Sequence, residues 1–406
     1  MAGKQAIGFC WSVVIAALIT AGVVSSSYPQ IRHQQQKSLQ GELDEASIRA
    51  SPLLSLHKDL VEIESISGNE HAVAKYLEKY LKSRSFKVEL QPVAALDNNI
   101  TQSQRYNILA YSGNSRQTRL LLSSHIDTVP PYIPYKVIPD KALFGRGTVD
   151  AKGCVATQIT ALLSLLSSSK IEKNDASLLF VVGEELGGDG MRTANELGLS
   201  WETVIFGEPT ELKLASGHKG ILSFEITAHG KAGHSGYPWL GENANSMLLP
   251  TLVALDNLEL PSSKKYGNST LNIGHVVGGV AGNVIPGLAK AQVSIRLAAG
   301  PPSKTKNIVL DAIEKINPKL ETVFWGNGYG PIDIDADVEG FENIIVNYGT
   351  DIPNLEGEHR RHLYGPGSIL VAHSDDEAIT MEDLESAVEG YEKLVLSALE
   401  RGPKRG

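Results

Sequence analysis

The chain has 406 residues, 42% hydrophobic and 20% charged, with 39 glycines and a formal net charge of −9. That length exceeds one ordinary domain, so two domains around at least one large core are expected, and the composition matches no fibrous, disordered or wholly membrane-embedded class. An acidic chain lacks the basic footprint that phosphate binding requires, which excludes nucleic acid as a partner.

At the start, Lys4 precedes an uncharged stretch from Gln5 to Ser27 whose centre is apolar and whose end is small-residue rich. This reads as a secretory signal over residues 1–27, giving a secreted protein with no stable membrane association once the signal is removed. An uncleaved single-pass anchor is the rival reading. The two cysteines are Cys10 and Cys154. The mature form would then carry one thiol and no internal disulfide, and Cys154 is expected to pack at a helix start. Sequons at Asn99-Ile-Thr and Asn268-Ser-Thr fit an exported glycoprotein.

Residues 28–50 are polar and glutamine-rich and read as a mature N-terminal tail or the approach to a first helix. The spacing of Leu53, Leu56, Leu60 and Ile63 then predicts an amphipathic helix, and Ser67-Gly-Asn-Glu70 predicts a capped second one. An apolar run Leu120–Ser124 leads to His125 and Asp127. The segment Gly145–Asp150 enters a helical run over Cys154–Ser168, a second apolar run Leu178–Gly183 ends in Glu184 and Glu185, and a third, Val204–Gly207, ends in Glu208. Short apolar runs alternating with helices predict an α/β domain with a mostly parallel central sheet.

Near Lys219 the texture changes. Alternation over Leu222–Ala228, a turn region at 230–241, a helix over Asn243–Leu258, strands at Leu271–Val277 and Ala291–Leu297 and a helix near Lys306–Ile316 predict an inserted α+β domain. It is placed at residues 219–335, between catalytic segments 28–218 and 336–406. Residues 340–347 are expected to be helical, Gly367–Ala372 to be a strand ending at His373, and Thr380–Glu400 to be a helix capped by Thr380. His218 and His229 are assigned structural roles.

Parallel α/β sheets place ligands beyond the carboxyl ends of their strands, which is where the acids and histidines fall. Residues i and i+2 of a strand share a side, so Asp127 is placed to accept a proton from one nitrogen of His125 while the other binds metal. Asp150, in a glycine-flanked loop, suits a carboxylate that bridges two ions. The adjacent pair Glu184-Glu185 allows one carboxylate to bind metal and the other to handle protons. Two histidines, three carboxylates and a spare glutamate exceed the needs of one zinc, which points to a two-metal hydrolytic centre.

Taken together, Ser124-His-Ile-Asp-Thr-Val-Pro130, Gly145-Arg-Gly-Thr-Val-Asp-Ala-Lys-Gly153, Gly183-Glu-Glu-Leu-Gly-Gly188, Gly207-Glu-Pro209, Gly233-His-Ser-Gly236, Gly365-Pro-Gly367 and Ala372-His373 carry a resemblance. Over roughly Ser51–Arg401 the chain resembles the di-zinc aminoacylase/carboxypeptidase family of metallopeptidases, which includes acetylornithine deacetylase, succinyl-diaminopimelate desuccinylase and glutamate carboxypeptidase. The resemblance implies two zinc ions per subunit, with cobalt or manganese as substitutes. His125 and Glu208 would bind one, Glu185 and His373 the other, and Asp150 would bridge them. Asp127 would orient His125, Glu184 would be the general base, and His234 would stabilise the oxyanion, reaching in from the partner subunit in dimeric relatives. Asn283, Arg296 and Gly367 match positions that hold substrate. The insert would act as a lid or as the contact of a homodimer. The implied function is a secreted carboxypeptidase or dipeptidase acting on small peptides with a free C-terminal carboxylate. An N-acyl-amino-acid deacylase using the same machinery is the alternative, and an inactive member that binds an amino-acid derivative the second. The signal-like start argues against intracellular biosynthetic substrates.

Overall fold

The computed structural model describes residues 45–95, 104–138 and 142–401; the expected signal at 1–27 and the sequon at Asn99 lie outside the described residues. Its central sheet has six strands in the order Lys87–Val93, Arg105–Tyr111, Ala176–Val181, Leu120–His125, Thr203–Gly207 and Arg360–Tyr364. The last four are mutually parallel, and the first two join as an antiparallel edge. Every residue of the Leu120, Ala176 and Thr203 strands is buried, because helices and loops cover both faces and leave no polar alternation to be written into the sequence.

One face is covered by the helix Lys152–Ser167, which packs in turn against the C-terminal helix Met381–Arg401. On the other face Leu121, Leu179, Val204 and Phe206 pack with Trp201, Met191, Ile352 and Leu355. The first predicted helix runs over Pro52–Glu62 with Ser51 accepting from the Leu54 N–H, and Thr380 accepts from the Asp383 N–H at 3.0 Å to open the C-terminal helix. The second predicted helix, His71–Ser83, has no side-chain cap. Ser67 instead donates to Asp127 Oδ2 at 2.7 Å, and the Glu70 carboxylate accepts from Gly68 N–H and Arg105, so the capping-box reading gives way to two longer-range bonds.

Within the stretch predicted as an insert, four antiparallel strands lie in the order Thr270–Gly278, Leu288–Leu297, Gly220–His229 and Glu321–Phe324. Helices Ala244–Asp256 and Pro302–Ile316 pack on the face that carries Leu222, Phe224 and Ile226, while Ile221, Ser223 and Glu225 alternate onto the open face. Ile332–Asp333 and Asn343–Val346 flank Leu214–His218 in a three-stranded sheet of their own.

Two expectations are corrected. Residues 340–347 contain the strand Asn343–Val346 in place of a helix; its Ile-Ile-Val core is β-branched and finds a parallel partner in Leu214–His218. The segment Gly367–Ala372 is no strand, and its place beside Thr203–Gly207 is taken by Arg360–Tyr364. Pro366 cannot donate to a ladder and Gly367 has φ of 76°, so the chain leaves the sheet there, with Leu370 83% exposed.

Candidate metal centre

The parallel order delivers three ligand segments side by side. His125 is the last residue of its strand, Glu208 follows the last residue of the next, and Glu184 and Glu185 sit on a 3-10 turn three residues beyond Val181. Asp150 comes from the loop that opens helix Lys152–Ser167, and His373 from a turn before the C-terminal helix, in the left-handed region at φ 62°.

The geometry converges on Asp150. Its Oδ1 lies 3.0 Å from Nε2 of His125 and its Oδ2 3.2 Å from Nε2 of His373, so one carboxylate faces two histidines with different oxygens. His373 Nε2 also lies 3.1 Å from the Glu185 carboxylate, and His125 Nε2 lies 3.9 Å from Glu208. Donor atoms of His125, Asp150 and Glu185 fall within 4.8 Å of one another, as do those of His125, Glu184 and Glu208. Two donors on one tetrahedral zinc stand about 3.3 Å apart for metal–ligand bonds near 2.0–2.1 Å. All-nitrogen-and-oxygen donors at this spacing, in two groups that share His125 and with Asp150 set between the two histidines, fit a pair of divalent ions.

Asp127 does more than expected of it. Its Oδ1 lies 3.5 Å from Nδ1 of His125, whose nearest acceptor is Asp127's own carbonyl at 3.0 Å. The same carboxylate accepts from the Glu184 and Glu185 N–H groups at 3.2 Å each. One buried acid therefore fixes the imidazole and the glutamate turn together. The turn is also braced by Arg105, which pairs with Glu70 and Asp189. At Gly183, φ 74°, a Cβ would run into Asp189 and Arg105, so the brace requires glycine.

Charge in the cluster is poorly balanced by the protein alone. Burial, then neighbouring carboxylates, pushes Glu184 and Glu208 well above the usual range and raises Glu185. Asp150 is opposed by burial yet held below its ordinary value by His125 and His373. Hydrogen bonds to Asp150 and Glu185 carry His373 up to about 10. Histidines are the only basic groups that ion-pair with these acids among the described residues. Cations would relieve that repulsion.

Beyond the cluster opens a cavity of about 1020 Å³, lined on one side by Asp150, Glu184, Glu185, Glu208 and His373 and on the other by Ile221, Ser223, Arg296, Trp325 and Tyr329. Arg296 is thus brought to the site. His234 and Asn283 are not: both belong to a separate corner, where Gly233–His234 pairs with Val284–Ile285 and the Ser235 N–H donates to the Asn283 carbonyl. Gly367 packs behind the cavity wall, its carbonyl accepting from the Glu211 N–H and its α-carbon facing Val149. His218 is buried between Lys219 and Thr350, and exposed His229 pairs with Glu321, the structural roles assigned to them. Cys154 is buried at its helix start.

A model of a peptidase dimerisation domain matches residues 216–321. A probable carboxypeptidase of Aspergillus flavus is 47% identical over 433 residues, covering 96% of this chain and 99% of that one. The chain belongs to the M20 family of metallopeptidases. Among solved structures, the M20 family metallo-carboxypeptidase Sso-CP2 of Sulfolobus solfataricus superposes with a TM-score of 0.68 at 18% identity, covering 86% of this chain and 99% of its own. The di-peptidase Dug1p of Saccharomyces cerevisiae gives 0.71 at 16% identity, covering 88% and 98%. The protein is accordingly a metallopeptidase with a dimerisation-type insert on an α/β catalytic fold.

Sequence reasoning missed one residue on which this metallopeptidase's site leans. The buried Glu377 carboxylate accepts from the N–H groups of Gly147, Val149 and Asp150 and pairs with buried Arg146. It ties the Asp150 loop to the His373 segment. The signal was present as a charged residue inside Gly145-Arg-Gly147 and an acid four places after His373, but in Asp375-Asp376-Glu377 the acid looks like part of a solvated run.

Proposed function

We propose that the protein is a secreted di-zinc carboxypeptidase or dipeptidase that hydrolyses amide bonds of small peptides bearing a free C-terminal carboxylate. The observation that carries the reading is Asp150, whose two oxygens are divided between His125 and His373. His125 and Glu208 would hold one ion, Glu185 and His373 the other, and Asp150 both. When bound, the two zinc ions supply Lewis-acid polarisation of the scissile carbonyl and lower the pKa of water.

The chain's own residues supply the rest. Glu184, half-buried at the cavity wall and raised in pKa, accepts the proton of the attacking water and hands it to the leaving amine. Asp127 holds the Glu184 N–H so that the carboxylate stays aimed. Arg296 grips the substrate's C-terminal carboxylate with its planar fork. His234 and Asn283 lie outside their own chain's cavity, which supports their delivery by the insert of a second subunit. Exposed apolar side chains on that insert, Trp239 at 73%, Val253 at 64% and Val280 at 87%, support a homodimer. Secretion rests on residues 1–27 and glycosylation on Asn99 and on the exposed Asn268.

Glu184→Ala should lose roughly a hundred- to ten-thousand-fold in kcat on dipeptides while two equivalents of metal remain by elemental analysis. Full activity in that variant would sink the assignment of the base. Activity of His234→Ala should return on mixing with Glu184→Ala, since mixed dimers would hold one complete site.

A further inference from the structure

The open face of the insert's sheet is polar along most of its length. On the strand Gly220–His229 it presents Ser223, Glu225 and Thr227, and on the neighbouring strand Lys290, Gln292 and Ser294, with Ser223 and Ser294 hydrogen-bonded at 3.3 Å and Lys290 paired to Glu225. The pattern breaks at the end that faces the metal cavity. Ile221 lies on this face directly opposite Arg296 in the antiparallel register, so their side chains are neighbours. The Trp325 backbone N–H donates to the Ser223 carbonyl at 2.9 Å and, one residue beyond the inward-facing Phe324, Trp325 shares the face of Ser223. Ile221, Ser223, Arg296 and Trp325 all line the metal cavity, and the indole is 49% exposed there. An exposed indole and an isoleucine beside a guanidinium form an amphipathic niche.

The chemistry of the lining narrows what the niche takes. The cavity's carboxylates are Asp150, Glu184, Glu185 and Glu208, all within the metal cluster, so none stands beside Arg296 to pair with a lysine or arginine side chain. Its arginines are Arg296 itself and Arg192, and Arg192 is tied to the Gly187 carbonyl on the catalytic side. An acidic side chain would have to compete with the terminal carboxylate for Arg296. Resting on the peptidase reading above, we propose that Trp325 and Ile221 form the pocket for the C-terminal side chain, making the enzyme selective for substrates ending in a bulky apolar residue. Arg296 holds the carboxylate of that residue, and its side chain lies along the indole.

The test is a matched series of dipeptides and N-acetyl amino acids ending in Gly, Leu, Phe, Glu and Lys, assayed with the full zinc-loaded enzyme, its Trp325→Ala and Trp325→Phe variants, and calorimetric affinities of the same compounds for Glu184→Gln. Leu- and Phe-terminated substrates should exceed the Gly-terminated one roughly 10- to 100-fold in kcat/KM. Trp325→Ala should collapse that ratio mainly through KM, and Trp325→Phe should restore most of it. A flat ranking, a ranking led by Glu or Lys, or an unchanged ratio in Trp325→Ala overturns the proposal, whether read as turnover or as affinity. Failure to hydrolyse either series overturns the peptidase reading itself, while the affinity ranking still decides the pocket.

Discussion

The catalytic half and the insert solve opposite problems with their sheets. In the first, parallel strands are buried on both faces and only their carboxyl ends meet the cavity, so polar chemistry is confined to a few strand-end residues held by deep hydrogen bonds. In the second, an antiparallel sheet buries one face and leaves the other open, so recognition residues can be spread along a surface. Rigid placement of acids belongs to the first arrangement, and variable contact with substrate or a second subunit belongs to the other.

The comparison breaks most visibly at Glu377. Glu377→Ala would leave the buried Arg146 guanidinium without its carboxylate and three N–H groups without their acceptor, and should cost about 3–5 kcal/mol of unfolding free energy, read as a lower urea midpoint. No comparable loss is expected from any charged residue on the insert's open face. His218, two residues before the insert's strand Gly220–His229, sharpens the contrast through pH. Burial lowers its pKa to about 4 from an ordinary 6.5, so the unfolded chain binds the extra proton between those values. Its contribution is complete above about pH 6.5 and is lost as pH falls toward 4, an amount of about 3 kcal/mol. The difference in urea stability between the parent and His218→Asn, followed from pH 7.5 to 4.5, should shrink accordingly; a pH-independent difference would contradict this account.

On the insert, Val280→Asp should leave the fold intact and weaken self-association by about 1–2 kcal/mol, seen as monomer in light scattering at low micromolar concentration. If activity were then independent of protein concentration, His234 would have no role in a partner's site. Least affected should be Leu370→Ser: although it lies three residues from His373, its side chain is open to solvent, and stability should move by no more than about 0.5 kcal/mol.

Much of the site could be read before the fold because its ligands sit after runs such as Leu120–Ser124 and Val204–Gly207, where burial on both faces writes an unbroken apolar signature. His373 was legible as a residue but not as a place. The apolar letters of Ser368–Ala372 imitate a strand, and only the competition with Arg360–Tyr364 for the sheet edge decides against it. Ser67 and Glu70 looked like a local cap and serve Asp127 and Arg105 instead. Glu377 was invisible for the same reason: its partners are 227 to 231 positions away, and no local pattern records them.

That separation has a consequence in time. A ribosome adding about 5–20 residues per second needs on the order of 10–45 s to travel from Asp150 to Glu377. Throughout that interval the Asp150 carboxylate has neither the acceptor that shapes its loop nor His373 beside it. The Asp150 loop therefore gains the acceptor that shapes it only after residue 377 has been made.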